Sequence, residues 1–243
     1  MIYFLSDAHL GSLLIPGKRE HEMKVVHLLD SMKKDATAIY LMGDIFDFWF
    51  EYKTVVPKGF TRLFGKIAEL TDSGIDVHFF IGNHDLWTFG YFEEELGMKV
   101  HYKPEVVELY GKSFYLAHGD GLATGDNGFR FLRKIFHSRI TQRLFGLVHP
   151  NIGQYLGYTW SRQNRLLMKS DAFQGEENER IVVYAKEFLE KQKVDYLVFG
   201  HRHVDLKLRL KYNAELIILG DFVNLFSYGA FDGKEFQLLY FEQ

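Results

Sequence analysis

Carboxylate, amide and imidazole side chains recur in five short groups: Asp7-Ala8-His9, Gly43-Asp44-Ile45-Phe46-Asp47, Gly82-Asn83-His84-Asp85, His118-Gly119-Asp120 and Gly200-His201-Arg202-His203. Oxygen and nitrogen donors without sulfur suit divalent Mn, Fe or Zn. The chain has no cysteine, which excludes disulfides, a thiolate nucleophile and any Cys-ligated centre. Asp7 and His9 stand two apart, as do His201 and His203, so in extended chain each pair points to one side. Six or seven such donors are too many for one catalytic zinc with an open position. They suit two cations sharing a carboxylate, the arrangement that holds both attacking and leaving oxygens in phosphoryl displacement.

Each group alone has an ordinary reading. Gly-Asn-His-Asp is acceptable turn chemistry, and Asp47 is a plausible helix N-cap by type. Their joint occurrence is harder to dismiss, because five of the 11 histidines fall in these groups. Each group also follows a short apolar run: Ile2–Leu5, Ala38–Met42, Val77–Ile81, Phe114–Ala117 and Tyr196–Phe199. These runs, with Leu216–Leu219, read as strands buried on both faces. Helical patterns lie between them at His21 to Met32, Thr61 to Leu70, Tyr91 to Leu96 and Asn178 to Lys191. The alternation predicts an α/β layered sandwich with a largely central sheet. Lys207–Leu210 and Phe236–Phe241 read as strands of a more antiparallel portion. Turns at the carboxyl ends of parallel strands emerge on one edge, where ligand sites form, so residues far apart in sequence are expected to converge.

The 243 residues are 47% apolar and 16% aromatic, ample for a packed core and incompatible with a disordered or collagen-like chain. The opening Met1-Ile2-Tyr3-Phe4-Leu5-Ser6-Asp7 has no basic start and meets an acid early, so no signal peptide is expected. No apolar run is long enough to span a bilayer. The expected location is cytoplasmic, with peripheral contact on the cytoplasmic face of the inner membrane. The net charge of −3 conceals an asymmetry. Residues 127–170 contain no Asp or Glu but eight cations, namely Arg130, Arg133, Lys134, Arg139, Arg143, Arg162, Arg165 and Lys169, which leaves −11 on the remainder. Residues 127–191 read as a helical insertion between two strands, with residues 1–126 and 192–243 as the core. Phe131, Leu132, Ile135 and Phe136 share one helix face, opposite Arg130, Arg133, Lys134 and His137. A basic amphipathic helix favours an anionic lipid surface or an amphiphilic substrate, whereas a merely solvated face mixes both signs.

Taken in order, D-x-H, G-D-x-x-D, G-N-H-D, H-G and G-H-x-H resemble the calcineurin-like metallophosphoesterase family over the span from Ile2 to about Asn224. The resemblance implies a layered αββα sandwich with the helical cap inserted between strands, and two divalent ions, Mn²⁺ first, with Fe or Zn also compatible. It implies Asp7, His9 and His203 on the first metal, Asp44 bridging, and Asn83, His118 and His201 on the second. His84 would sit beside the phosphate, oriented by Asp47, with water between the cations as nucleophile. His118-Gly119-Asp120-Gly121-Leu122-Ala123-Thr124-Gly125-Asp126 and Ser161-Arg162-Gln163-Asn164-Arg165 further resemble the UDP-2,3-diacylglucosamine diphosphatase group of lipid A biosynthesis. That resemblance implies a lipid-linked sugar nucleotide substrate, contacted by Asp126, Asn164, Arg165 and Lys169, and no obligate protein partner. Better-known members of the group read G-N-R-D where this chain has His84, which leaves another lipid-linked or nucleotide phosphodiester as the alternative substrate. A nuclease needs a basic groove with stacking aromatics, and the long apolar face of the insertion suits acyl chains better than nucleic acid. A non-catalytic scaffold would tend to lose ligands, and none is lost here.

Overall fold

The computed structural model describes residues 1–122, 134–167 and 172–242. Eleven strands among them form two sheets, as the resemblance to a layered αββα sandwich implies. The first sheet has the order β11-β10-β1-β2-β3-β4, built from β1 (Ile2–Leu5), β2 (Ala38–Leu41), β3 (Asp76–Phe80), β4 (Lys99–His101), β10 (Ser227–Phe231) and β11 (Phe236–Tyr240). The second has the order β5-β6-β7-β9-β8, from β5 (Glu105–Leu109), β6 (Lys112–Ala117), β7 (Tyr196–Phe199), β8 (Asp205–Arg209) and β9 (Glu215–Leu219). β1, β2, β3 and β4 run parallel, as do β6, β7 and β9. The C-terminal portion is antiparallel as expected, β11 on β10 and β8 on β9.

Side-chain alternation explains the layering. Ile2 and Phe4 of β1, with Ala38 and Tyr40 of β2, face a cluster shared with Phe114 and Leu116 of β6 and Val198 of β7. Leu5, Ile39 and Leu41 point the other way, onto α1 (Lys18–Met32) and α2 (Thr61–Asp72) through Val25, Leu29, Leu63 and Ile67. Successive residues of one strand thus serve two cores, which is why these runs are apolar at every position. On the far side, Leu197 and Phe199 meet Ile181, Val182, Ala185 and Leu189 of the helix Arg180–Leu189. The order of layers is helix, sheet, sheet, helix.

That last helix has its packing partner in the second sheet. It falls inside the insertion read as residues 127–191, yet its apolar face packs on the second sheet as an outer layer of the sandwich. The other described helices between β6 and β7 are α4 (Arg139–Phe145) and α5 (Pro150–Leu167); α3 is Tyr91–Glu94 and Arg180–Leu189 becomes α6. α4 and α5 rest on aromatic side chains from the turns after β2 and β3. Phe48 lies edge-on to Tyr158, Phe145 tilts against Phe50 and Trp87, and the Trp87 indole N–H donates to the Phe136 carbonyl (2.8 Å). Of the amphipathic face read from the sequence, Phe131, Leu132, Arg130 and Arg133 lie outside the described residues.

His78 of β3 provides a stability test remote from the site. Its ring stacks on Tyr40 with centroids 4.2 Å apart, and its Nδ1 lies 2.9 Å from His101 Nε2. Burial, reinforced by the charge of His101, depresses its pKa to about 4. The unfolded chain takes up this proton near pH 6.5, so between pH 6.5 and 4 the unfolded state binds more protons and stability falls as pH drops. Above pH 6.5 the group contributes nothing. Allowing for screening, the loss should be about 1–2 kcal/mol. Denaturant melts of His78→Phe should show a flatter acid limb than the parent; an identical limb would refute the assignment.

Candidate metal centre

Neighbouring turns are stitched together before any side chain is considered. The Asp7 N–H donates to the Gly43 carbonyl (3.1 Å) and the His9 N–H to that of Asp44 (3.0 Å), so the turns after β1 and β2 run side by side. The Phe222 N–H reaches the Asp7 carbonyl (3.2 Å), and the Gly200 N–H that of His118 (2.9 Å). The carboxyl edges of the two sheets thereby meet at one place. Asp7, His9, Asp44 and His201 all take left-handed backbone, with φ of 52°, 44°, 52° and 66°. Non-glycine residues rarely adopt this region, and Asp, Asn and His tolerate it best. Strain of this kind, of order 1–3 kcal/mol per residue, concentrates at functional sites.

Two glycines permit the approach. A Cβ on Gly82 would lie 2.2 Å from Asp44 Oδ1, and one on Gly200 would lie 1.9 Å from Ser6 Oγ and 2.7 Å from Asp7 Oδ2. Ser6 Oγ itself donates to Asp7 Oδ2 (2.5 Å), as does the His201 N–H (2.8 Å). The Gly200→Ala variant should therefore displace both Asp7 and His201. We expect hydrolysis to fall about 10²-fold and stability by about 1–3 kcal/mol, read from steady-state rates and melting. Parental values would show that the turn has slack.

Among the described residues three donor groups converge, with ligand atoms in each lying within 4.8 Å of one another: Asp7, His9 and His203; His9, Asp44 and His84; Asp44, His118 and His201. Asp7 Oδ1 is 3.5 Å from His203 Nε2 and 3.6 Å from His9 Nε2. Asp44 Oδ2 stands 3.3 Å from His118 Nε2 and 3.9 Å from both His9 Nε2 and His84 Nε2. Asp44 and His9 each belong to two groups, so the carboxylate of Asp44 is placed to be shared. Asn83 lies on the turn that flanks Asp44, with its Oδ1 buried.

The residues fit a pair of divalent cations. Asp7 Oδ1, Asn83 Oδ1 and His118 Nε2 are shielded from solvent and have no hydrogen-bond partner within the protein, an unusual state for buried polar atoms. The His118 Nδ1–H donates to the Met42 carbonyl (2.8 Å), which turns the Nε2 lone pair toward Asp44. Burial works to neutralise Asp7 and Asp44, but it is outweighed. The neighbouring imidazoles of His203 and His9 hold Asp7 well below the usual carboxylate range, and the charge of His118 does the same for Asp44. Burial opposes a proton on His118, yet the adjacent Asp44 raises its pKa well above ordinary. His201 is pushed down to about 4 by burial and by the charge of His118. Carboxylate oxygens and imidazole nitrogens at this density are donors that a cation between them would satisfy.

His84 and Asp47 are adjacent, but not in the manner expected. The His84 Nδ1–H donates to the main-chain carbonyl of Asp47 (2.7 Å), and the His84 backbone N–H to Asp44 Oδ1 (2.8 Å). The Asp47 carboxylate serves other partners, lying 3.6 Å from His9 Nδ1 and 3.8 Å from Arg165 Nε. A carboxylate behind an imidazole fixes which ring nitrogen faces a metal, so the Asp47 carboxylate stands behind His9 while its main-chain carbonyl orients His84. Arg165 comes from the last turn of α5 and is an insertion residue that reaches this cluster. Asn164 is exposed beside it. Asp126 and Lys169 lie outside the described residues.

Two carboxylates were given no role in the sequence reading. Asp221 Oδ2 sits 3.5 Å from His203 Nδ1, while its Oδ1 accepts the N–H groups of Val223, Asn224 and Leu225. Its signal was present, since Gly220-Asp221 follows the strand Leu216–Leu219 as the other groups follow theirs. Asp85 is buried and accepts from the Gly82 N–H (2.7 Å) and the Ile45 N–H (2.8 Å), tying the turns after β2 and β3 together. Burial and the charge of Asp44 push its pKa up to about 7. Arg202 forms a two-pronged ion pair with the buried Glu179 (3.0 and 3.2 Å), which anchors the start of α6 to the turn bearing His201 and His203.

Comparison with known proteins agrees with this geometry. The chain is 39% identical to the UDP-2,3-diacylglucosamine hydrolase of Porphyromonas gingivalis, over 96% of this chain and 94% of that one. It is 28% identical to proteins of the same name from Photorhabdus laumondii, over 82% and 80% of the two chains, and from Actinobacillus succinogenes, over 90% of each. Residues 1–205, which include every turn described above from Asp7 to His203, match the calcineurin-like phosphoesterase family. The chain belongs to that family.

Proposed function

We propose that this hydrolase cleaves the pyrophosphate of UDP-2,3-diacylglucosamine by water attack on the α-phosphate, giving UMP and 2,3-diacylglucosamine 1-phosphate. The observation that carries this reading is the 39% identity maintained over nearly the whole of both chains, helical insertion included. Asp7, His9 and His203 would hold one cation, Asn83, His118 and His201 the other, and Asp44 would serve both; Mn²⁺ is the ion we assign. When bound, such a pair polarises the phosphoryl oxygens and makes water nucleophilic near neutrality.

The chain's own side chains would do the rest. His84 keeps its Nδ1 proton against the Asp47 carbonyl, which presents Nε2 to the reacting phosphate. A proton taken there becomes available to the leaving oxygen, in the manner of a general acid and base. Arg165, half-buried beside Asp47, supplies a fixed positive charge at the edge of the site. Asp126, Asn164 and Lys169 would complete the head-group contacts. The outer surface of the insertion supports a lipid substrate: Ile140, Leu144 and Leu147 repeat at helical spacing and are 71%, 61% and 83% exposed. Ile152, Tyr155 and Leu156 of α5 are exposed too, and Arg139 and Arg143 lie in the same segment as Ile140 and Leu144. Such a surface suits peripheral contact with an anionic membrane. No described helix is long and apolar enough to cross one.

Purified protein with Mn²⁺ should release UMP from UDP-2,3-diacylglucosamine in mixed micelles. His84 gives a second reading its footing. If the lipid is untouched while soluble nucleotide diesters are cleaved, the substrate assignment is lost and the phosphoesterase chemistry stands.

A further inference from the structure

A cavity of about 750 Å³ opens beside the cation-binding turns, between the loop after β1, residues 52–62 and the first turns of α5. That size is ordinary for a small-molecule site. Its charge is one-sided: Lys18, Arg19, Lys58 and Arg62 line it, against the single acid Glu22. Glu22 is buried, and its Oε1 accepts the backbone N–H groups of Arg62 and Leu63 (3.0 and 3.1 Å), so it is already engaged at the start of α2. Among the described residues, none of the four Lys and Arg side chains has a carboxylate within ion-pair distance. Cations gathered around one concavity focus a field that attracts an anion.

The remaining lining is specific in another way. Tyr52, Phe60 and Tyr158 offer aromatic faces, and Asn151 and Gln154 offer amides. Lys18 Nζ lies 5.5 Å from the Tyr158 ring centroid. Tyr52 Oη is shielded from solvent with no hydrogen-bond partner. Rings to stack on a base, amides to read its edge and cations to hold a phosphate are the groups a nucleotide requires. A lipid head group has no use for the rings.

Position connects this cavity to the reacting centre. Gly11 is two residues beyond His9, and a Cβ there would lie 2.7 Å from Tyr158 Oη. Tyr158 and Arg165 are seven residues apart on one face of α5, about 10 Å along its axis, and Arg165 abuts Asp47. One helix face thus leads from the cavity to the donor cluster over a distance that one extended nucleotide spans.

We propose that the cavity is the subsite for the nucleoside monophosphate half of the sugar nucleotide, with the base among Phe60, Tyr158 and Gln154. The assignment rests on the substrate reading given above. The test is calorimetric titration of UMP into the Mn²⁺-loaded protein, parent against the Lys18→Gln, Arg62→Gln double variant, whose substituted side chains are exposed. UMP should bind the variant about tenfold or more weakly. KM for UDP-2,3-diacylglucosamine should rise by a similar factor with kcat little changed, and cleavage of bis-p-nitrophenyl phosphate should be unaffected. Gln154→Leu should weaken UMP but not inorganic phosphate. Equal UMP affinity in parent and variants overturns the proposal. So does loss of binding to phosphatidylglycerol vesicles with KM unchanged, which would make the cavity a head-group site. If the parent fails to cleave the lipid yet the variant still binds UMP more weakly, the substrate reading falls and the nucleotide subsite survives. If the lipid is cleaved and both KM and UMP affinity ignore the substitutions, the subsite alone falls.

Discussion

The Asp44→Asn variant will lose hydrolysis by about 10³-fold or more while keeping its fold. Asn is nearly isosteric, and its Oδ1 can still accept the His84 N–H that Asp44 Oδ1 accepts at 2.8 Å, so the backbone stitching of the turn survives. What disappears is the charge. Asp44 Oδ2 lies within 3.9 Å of His118, His9 and His84, and it belongs to two of the three donor groups. A shared carboxylate that becomes a neutral amide weakens both cation positions at once. Several kcal/mol of transition-state stabilisation correspond to this loss at about 1.4 kcal/mol per decade. UMP release measures the rate, and circular dichroism with a melting curve measures the fold. Activity within tenfold of the parent would mean that Asp44 is not the shared ligand.

Chelation should have a comparable effect by a different route. EDTA treatment is expected to remove hydrolysis to background, and Mn²⁺ to restore it. The same donors predict a readout independent of turnover. A ligand at 100 times its dissociation constant stabilises the native state by about 2.7 kcal/mol, which for a chain of this size raises the melting temperature by about 5–10 °C. Adding Mn²⁺ to the chelated protein should shift the melt accordingly. The Asp7→Ala and His118→Ala variants should blunt that shift. A melt indifferent to divalent ions in the parent protein would remove the support for the cation reading.

The candidate donors were legible because each group sits one or two residues past an apolar run that had to be a strand. Burial of β2 and β7 on both faces is written in uninterrupted apolar sequence, and the turn that follows such a strand is fixed in place by it. The two-sheet layering came from the motif resemblance, because the apolar pattern alone does not distribute strands between sheets. Alternate residues of β1 serve different cores, and either one sheet or two satisfies that pattern. β5 escaped notice because its hairpin to β6 turns on Tyr110-Gly111, with φ of 48° and 76°. A tight turn of this kind favours Asn or Asp at the first position, and Tyr gives no such signal. The exchange of roles at Asp47 was hidden for a related reason. Sequence names a side chain, whereas the partner of His84 is a main-chain carbonyl, which every residue possesses. Arg165 carries the opposite lesson: a basic insertion was evident from composition, but the delivery of one particular guanidinium beside Asp47 depends on where α5 crosses the sandwich.

The pairing of β1 also bears on biogenesis. One flank of β1 is joined by β2, only about thirty residues downstream, but the other is covered by β10, from residues 227–231. On the ribosome, this edge of β1 must therefore wait until residues 227–231 have emerged. An open apolar edge is the kind of surface on which nascent chains cross-associate. Frameshifts or proteolytic nicks that remove the final hairpin should accordingly yield insoluble material rather than a weakened enzyme, even though the lost segment contributes no donor to the cluster.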